Sequence, residues 1–301
     1  MRKPFLKHQR PRLLHHINDY KTLSSALTES KPDIVFHLAA QPLVRDSYDD
    51  PVGTYETNVV GSLKVYKASL LAGVKALVSI TTDKVYENHE WLWGYRENDQ
   101  LGGYDPYSSS KACVEIMTDS FRRSFLKDNQ MLLATARAGN VIGGGDWAKD
   151  RLIPDLARNA ASQKATSIRN PKSVRPWQHV LEPLSGYLML GEKLLQGKAE
   201  FCTSFNFGPY TQDVASVEDM SVLAKKSWEH IAVIVEKDAD SKHEAGLLKL
   251  DITKSIEKLG WKPIWDSKKA TALTIEWYKK YYHSQEANSL QNLEEFLALL
   301  K

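Results

Sequence analysis

The chain has 301 residues, 42% apolar and 26% charged, enough to build one large or two smaller globular cores. Its 40 basic and 37 acidic residues leave a net charge of +3, scattered along the chain, which excludes an electrostatic grip on nucleic acid. No stretch approaches the ~20 apolar residues of a membrane span, and Cys113 and Cys202 build neither a disulfide framework nor a paired metal motif, so a reducing cytoplasm is expected and a metal is not.

The basic opening, MRKPFLKHQRPR, lacks the small-residue cleavage site of a signal peptide. His15 and His16 have no partnered ligands and read as ordinary chain. PDIVFHLAA (Pro32 to Ala40) is a short apolar run ending in small residues, the pattern of a buried parallel strand, with His37 a packed residue within it. A helical pattern follows from about Tyr55 to Leu71, with Val59, Leu63, Val65, Tyr66 and Leu70 apolar and Gly73 closing it. ALVSITT reads as a second buried strand, PYSSSKACVEIMTDSFRRSF as a second long helix, and LLATARAGNVIG as a third strand running into glycines. A helix through EPLSGYLMLGEKLLQG then leads to one more strand, FCTSFNFGP. Strands alternating with helices at this spacing predict a parallel α/β sheet. Past Pro209 the pattern changes to shorter helices and loops. The last helix, Asn288 to Lys301, puts Leu290, Leu293, Phe296, Leu297 and Leu300 on one face, which is expected to pack within the chain, with a subunit contact as the alternative.

Tyr107 and Lys111, in DPYSSSKACVE, are four residues apart and share a helix face. An ammonium beside a phenol favours the phenolate, so the pair predicts a tyrosine with a lowered pKa that takes a proton from an alcohol. The spacing alone is weak, because any surface helix can show it. Context strengthens it: Thr81-Thr82-Asp83-Lys84 follows the second strand, at the carboxyl end where ligands sit in open parallel sheets. Gly143, Gly144 and Gly145 are expected to form a loop with positive φ.

These stretches resemble the extended short-chain dehydrogenases/reductases, and among them the CDP-glucose 4,6-dehydratase family. The resemblance rests on VFHLAAQPLVRDSYDDPVGTYETNVVGS, TTDKVYEN, DPYSSSKACVE, ARAGNVIGGGDWAKDRLIPD, RPWQHVLEPLSGYL, FNFGP and LGWKP, in the family's order over most of residues 17 to 280. GNVIGGGDW together with RPWQHVLEPL is specific; HLAA and the Tyr-Lys spacing place only the superfamily. The resemblance implies an NAD(P)-binding Rossmann-type fold, a doubly wound parallel sheet, over residues 1–145 with 176–210 returning to it. A smaller α/β substrate-binding domain would comprise 146–175 and 211–301.

It also implies roles. Tyr107 would deprotonate the sugar 4-hydroxyl, with Lys111 as its partner and a ligand of the nicotinamide ribose. Thr82 would bond the same hydroxyl, Asp83 would protonate the departing 6-hydroxyl, and Lys84 stands where thymidine-type enzymes carry a glutamate that removes the C5 proton. Ala39, Ala40 and Gln41 would line the NAD groove, and Asn58 would support the lysine's proton path through its backbone. Asn140 and Arg175 would contact the diphosphate of a CDP-sugar. A homodimer or higher homo-oligomer is implied, through a helix pair that includes the helix of Tyr107. An epimerase, a dehydratase for another nucleotide, and a non-catalytic relative are the alternatives.

One part of the pattern is missing. The family opens with a strand, a G-x-x-G-x-x-G fingerprint and a helix that holds the dinucleotide pyrophosphate, whereas none of this chain's 16 glycines precedes Gly53. Where relatives read Gly-Asp-Ile-Arg-Asp, this chain reads His15-His16-Ile17-Asn18-Asp19. The expectation is therefore an N-terminally truncated Rossmann sheet whose DIVFHLAA strand is an apolar edge, or one onto which the HHI segment moves to pair.

Overall fold

The computed structural model describes residues 16–126, 131–236 and 245–300. Four apolar runs pair in parallel as β1 (Ile34–His37), β2 (Ala76–Ile80), β3 (Leu132–Ala138) and β8 (Ser204–Phe207), in the spatial order β1-β2-β3-β8. His37 pairs with Ser79, Ile80 with Ala136 and Ala138 with Phe207, so the four strands end along one rim.

Parallel neighbours need long crossovers, and helices supply them. Helix α1 (Tyr20–Ser30) precedes β1. Between β1 and β2 run α2 (Val44–Asp49), α3 (Pro51–Tyr55), a single π-turn (Glu56–Val60) and α4 (Gly61–Leu71); α5 (Pro106–Phe125) joins β2 to β3. The route from β3 to β8 passes β4 (Val141–Ile142), α6 (Leu152–Ala161), β5 (Ala165–Ile168), β6 (Val174–Arg175), β7 (Gln178–His179) and α7 (Leu181–Leu195). After β8 come β9 (Ala215–Ser216), α8 (Val217–Ser227), β10 (Ala232–Val235), α9 (Ser267–Ser284) and α10 (Ser289–Leu299). The short strands pair outside the main sheet as β4 with β7, β5 with β10 and β6 with β9.

Alternation along the strands sends side chains to two layers. Leu77 and Leu133 meet Val65 and Tyr66 of α4 and Phe121 of α5 on one face. Val78, Ala134, Ala136 and Phe205 meet Tyr187, Leu190 and Leu194 of α7 on the other. Helix α7 lies close because it carries glycine where the sheet intrudes: a Cβ on Gly186 would fall 2.2 Å from Phe207, and one on Gly191 2.7 Å from Ile34 and Phe36. A separate core gathers Ile153 and Leu156 of α6, Met220 of α8, and Ile275, Trp277 and Tyr278 of α9.

Several expectations change. The helical pattern starting near Tyr55 is π-wound up to Val60 before it becomes α. His16 to Asp19 form a turn, not a strand; Ile17 rests against Gly61 and Lys64 Nζ donates to the Asn18 carbonyl at 2.9 Å, so the HHI segment, as far as it is described, docks on α4 and not on the sheet. Among the described residues β1 ends the sheet; His15 and the basic opening lie outside them. In α10 Phe296 alone of the apolar stripe is buried, against Trp265 and Leu273, while Leu290, Leu293, Leu297 and Leu300 are exposed, so the expected packing of the stripe does not hold. Of the three consecutive glycines only Gly145 has positive φ; Gly143 and Gly144 are required because a Cβ would meet Val180 at 2.7 Å and Trp277 at 2.0 Å.

An ion pair sealed between α5 and the sheet ties these two layers together. Arg137 Nη2 of β3 donates to Glu115 Oε2 of α5 at 2.9 Å, with both side chains 3% exposed or less. The hydroxyls of Thr81, Thr135 and Ser204 donate to the same carboxylate, and Arg137 Nη1 donates to the Tyr86 hydroxyl and the Glu97 carbonyl. Burial pushes the Glu115 pKa up, but the guanidinium and hydroxyls outweigh it and hold the carboxyl below the ordinary range. Its stabilising charge is therefore present at neutral pH and lost as pH falls through that lowered value. Glu115→Gln, which strands the buried Arg137 charge, is expected to cost about 3–5 kcal/mol in urea unfolding, and pairing Glu115→Leu with Arg137→Met should recover most of the loss.

Candidate active site

The carboxyl ends of β2 and β3 open on a cavity of about 480 Å³. Beyond β2 the chain tightens into a 3-10 turn, Asp83–Val85, whose N-cap is Thr82, with the Lys84 amide donating to Thr82 Oγ1 at 3.4 Å. Thr82 Oγ1 donates to Asp83 Oδ1 at 3.0 Å, while Asp83 Oδ2 has no hydrogen-bond partner among the described residues. Asp83 is 2% exposed, and burial raises its pKa above the ordinary carboxylate range against the pull of Lys84, Thr82 and Arg175. Such a carboxyl is suited to giving a proton away.

Helix α5 starts where it does because Asp105 accepts from the Ser108 amide at 2.9 Å and Pro106 occupies the first turn. This seats Tyr107 in that turn, its amide donating to Ser47 Oγ at 3.1 Å. The expected lowering of the Tyr107 pKa by Lys111 is not what the fold produces. Burial pushes the phenol up to about 12, helped by the Asp83 charge, and the opposing pull comes chiefly from Thr82 and Arg151. Lys111 has another partner: its Nζ donates to the Ile80 carbonyl at 3.0 Å. Burial pushes that amine down to about 8, with the Glu115 carboxylate pulling the other way. Two of its three N–H donors meet no acceptor among the described residues.

Asn58 sits in the π-turn and fixes the end of β1 against α5. Its Oδ1 accepts from the Gln41 amide at 2.8 Å, and its Nδ2 donates to the Gln41 carbonyl at 3.1 Å and to Ser110 Oγ at 2.9 Å. Its own carbonyl accepts from Ser62 Oγ at 2.5 Å, and His37 Nε2 lies 2.8 Å from the same hydroxyl. Burial holds His37 neutral, with a pKa lowered to about 3. Ala39 is exposed and Ala40 half-buried on the rim beside Gln41.

Thr82, Asp83, Lys84, Tyr107, Asn140 and Arg175 all line the one cavity, whereas Lys111 and Asn58 stand behind its wall. Arg175 is not simply poised for phosphate: its guanidinium donates to the Val174 carbonyl at 2.9 Å and to the carbonyls of Ala245 and Gly246. Three lining arginines went unnoticed in the sequence, although each lies in or near a family-like stretch. Arg45 and Arg169 approach Asp150 at 3.9 and 3.5 Å, and Arg151 holds Asp146 at 2.8 Å. Among the described residues no group of three or more His, Cys, Asp or Glu side chains could hold a metal ion, and no helix is long and apolar enough to cross a membrane.

Comparison with known proteins places this geometry. Residues 6–273 match the family described as GDP-mannose 4,6 dehydratase. The chain is 46% identical to CDP-glucose 4,6-dehydratase of Salmonella typhimurium over 276 residues, covering 90% of this chain and 77% of that protein. It is 26% identical to dTDP-glucose 4,6-dehydratase of Streptomyces antibioticus, over 87% of this chain and 74% of the other. Among solved structures, dTDP-glucose 4,6-dehydratase of Streptomyces venezuelae with NAD bound superposes with a TM-score of 0.78 at 24% identity, covering 92% and 82% of the two chains. UDP-glucose 4-epimerase of Thermotoga maritima does so at 0.78 and 23%, covering 89% and 84%.

Lys111 carries a stability cost whose sign follows from its folded-state pKa. That value, about 8, lies below the ordinary 10.5, so the unfolded chain binds more protons between the two and stability rises with pH across that window. Below it the cost is fully present. Lys111→Met is therefore expected to stabilise the protein at pH 7, by about 1–3 kcal/mol once the lost bond to Ile80 is counted, and the gain should shrink toward pH 10 in urea titrations.

Proposed function

The chain belongs to the GDP-mannose 4,6-dehydratase family of nucleotide-sugar enzymes, and from that premise we propose that it converts CDP-glucose to CDP-4-dehydro-6-deoxyglucose and water with NAD as cofactor. The observation that carries the reading is Asp83, a buried carboxyl with a raised pKa and an unpartnered oxygen, on the same cavity as Tyr107. A 4-epimerase has no water to expel and no need of that acid. The identity to the Salmonella enzyme and Lys84 at the turn favour cytidine over thymidine.

The residues fit the nicotinamide half of the cofactor. The two idle N–H donors of Lys111 suit ribose hydroxyls, Ala39 and Ala40 leave the rim beside Gln41 free of bulk, and Asn58 keeps that rim in register with α5. When bound, NAD supplies the acceptor that takes a hydride from C4 and returns it at C6, and a positive charge that favours the phenolate. That charge matters, because a phenol near 12 is protonated at neutral pH. Tyr107 then takes the 4-hydroxyl proton, with Thr82 bonding the same oxygen. Oxidation at C4 acidifies C5; Lys84, at the mouth of the turn and as the free amine, would receive the C5 proton and return it to C5 when C6 is reduced, and Asp83 would give its own to the departing 6-hydroxyl. Asn140 and Arg175 take the diphosphate, Arg175 exchanging its backbone carbonyls for phosphate oxygens.

The reading extends to organisation. Residues 1–145 with 176–210 would form the cofactor-binding unit and 146–175 with 211–301 the substrate-binding unit; the core of α6, α8 and α9 speaks for a second unit, while Leu248, Leu250, Ile252, Leu259 and Trp261 pack in the core of the sheet and so cross that division. Assembly as a homo-oligomer through the exposed face of α5, which carries Ile116, belongs to the same reading.

Purified protein given CDP-glucose and NAD is expected to release a 4-keto sugar. Tyr107→Phe should lower turnover by about 10²–10⁴-fold. Asp83→Asn should do likewise while leaving C4 oxidation intact, so that reduced-nicotinamide absorbance accumulates. Product from dTDP-glucose in preference to CDP-glucose would reassign the base, and no product from any nucleotide hexose would overturn the reading.

A further inference from the structure

Tyr187 has no part in the roles above, yet its hydroxyl has one place left to act. The residue hangs from α7, on the sheet face opposite α5, and Gly186 beside it lets the helix sit against Phe207 with no room for a Cβ. The Tyr187 ring meets Phe207 edge-on, with centroids 5.5 Å apart, and the side chain is 5% exposed.

Several other buried tyrosines satisfy their hydroxyls inside the protein. Tyr66 pairs with Thr118 at 2.8 Å, Tyr86 with Asn206 at 2.7 Å and Tyr278 with the Asp146 carbonyl at 2.5 Å. The Tyr187 hydroxyl makes no such bond with any described residue. The Tyr187 oxygen is not sealed off, and the space it faces is the cavity, which Tyr187 lines together with Thr82, Asp83 and Tyr107. Burial and the nearness of Tyr107 both push the Tyr187 pKa up, so it stays a neutral donor throughout the working pH range.

We propose that Tyr187 is a further ligand-contacting residue of this site, its hydroxyl donating a hydrogen bond to an oxygen at the reacting end of the bound ligand. It reaches the cavity from the α7 face while Tyr107 reaches it from the α5 face, so the two phenols divide the work: one exchanges a proton, the other only holds. The inference rests on the nucleotide-hexose reading above. The acceptor is either a hexose oxygen or the carboxamide oxygen of the nicotinamide.

Tyr187→Phe tests it, because phenylalanine keeps the edge contact with Phe207 and removes only the hydroxyl. The variant is expected to melt with the wild type or slightly above it, and to lose about 5- to 50-fold in kcat/KM for CDP-glucose, the worth of one well-placed hydrogen bond. Calorimetric titration separates the two acceptors: weakened CDP-glucose binding assigns the hexose, and weakened NAD binding the carboxamide. Unchanged kcat/KM and both affinities within twofold of wild type would sink the proposal while leaving the dehydratase reading intact. Failure of the wild type to bind CDP-, dTDP- or UDP-glucose would overturn both together.

Discussion

A carboxylate and a guanidinium sealed 2.9 Å apart between α5 and the sheet set the geometry on which the rest depends. Glu115 lies four residues beyond Lys111 and eight beyond Tyr107 on α5, so it shares their helix face. Its Oε1 accepts from Thr81, the residue that hands β2 over to Thr82 and Asp83; its Oε2 accepts from Thr135, Arg137 and Ser204, on β3 and β8. The helix that carries Tyr107 and the turn that carries Asp83 are thereby tied to one point. A buried ion pair is weak evidence for stability, since desolvation opposes the attraction. What this one supplies is position, because the carboxylate is held from three places at once, the end of β2, β3 and β8.

Around that fixed frame, burial drives the neighbouring titratable groups toward their neutral forms. Asp83 and Tyr107 rise and Lys111 falls, each mainly through loss of solvent. Such a site is costly to the fold and useful to a reaction that shuttles protons in a water-poor space. It also corrects a simple view of the tyrosine–lysine pair: in the protein alone the ammonium bonds the Ile80 carbonyl and not the phenol, and helix spacing does not by itself activate a phenol.

The second layer of control is steric. Glycines in α7 and in the loop after β4 are needed because Phe207, Phe36, Trp277 and Val180 occupy the space a Cβ would fill. Close approach on the α7 side brings Tyr187 to the cavity, and close approach of Trp277 packs the loop after β4 against α9. The arginines that line this part of the cavity are offset by Asp146 and Asp150, so the cavity wall carries alternating charge.

Much of this architecture was legible in the order of residues. Apolar runs of four to seven residues bounded by turns marked β1, β2, β3 and β8, and Asp105-Pro106 marked the start of α5, because strand burial and helix capping depend on near neighbours. The adjacency of Thr82, Asp83 and Lys84, and the shared face of Tyr107 and Lys111, followed from one turn and one helix. What the chain could not disclose locally was decided by segments far apart in sequence: that Lys111 bonds Ile80, that Arg175 bonds Ala245, that Gly144 makes room for Trp277, and that Tyr187 brings its ring against Phe207 and lines the cavity. Periodicity says which side chains share a face. Only the folded chain decides what arrives opposite them, and that arrival sets burial, hydrogen bonding and proton affinity.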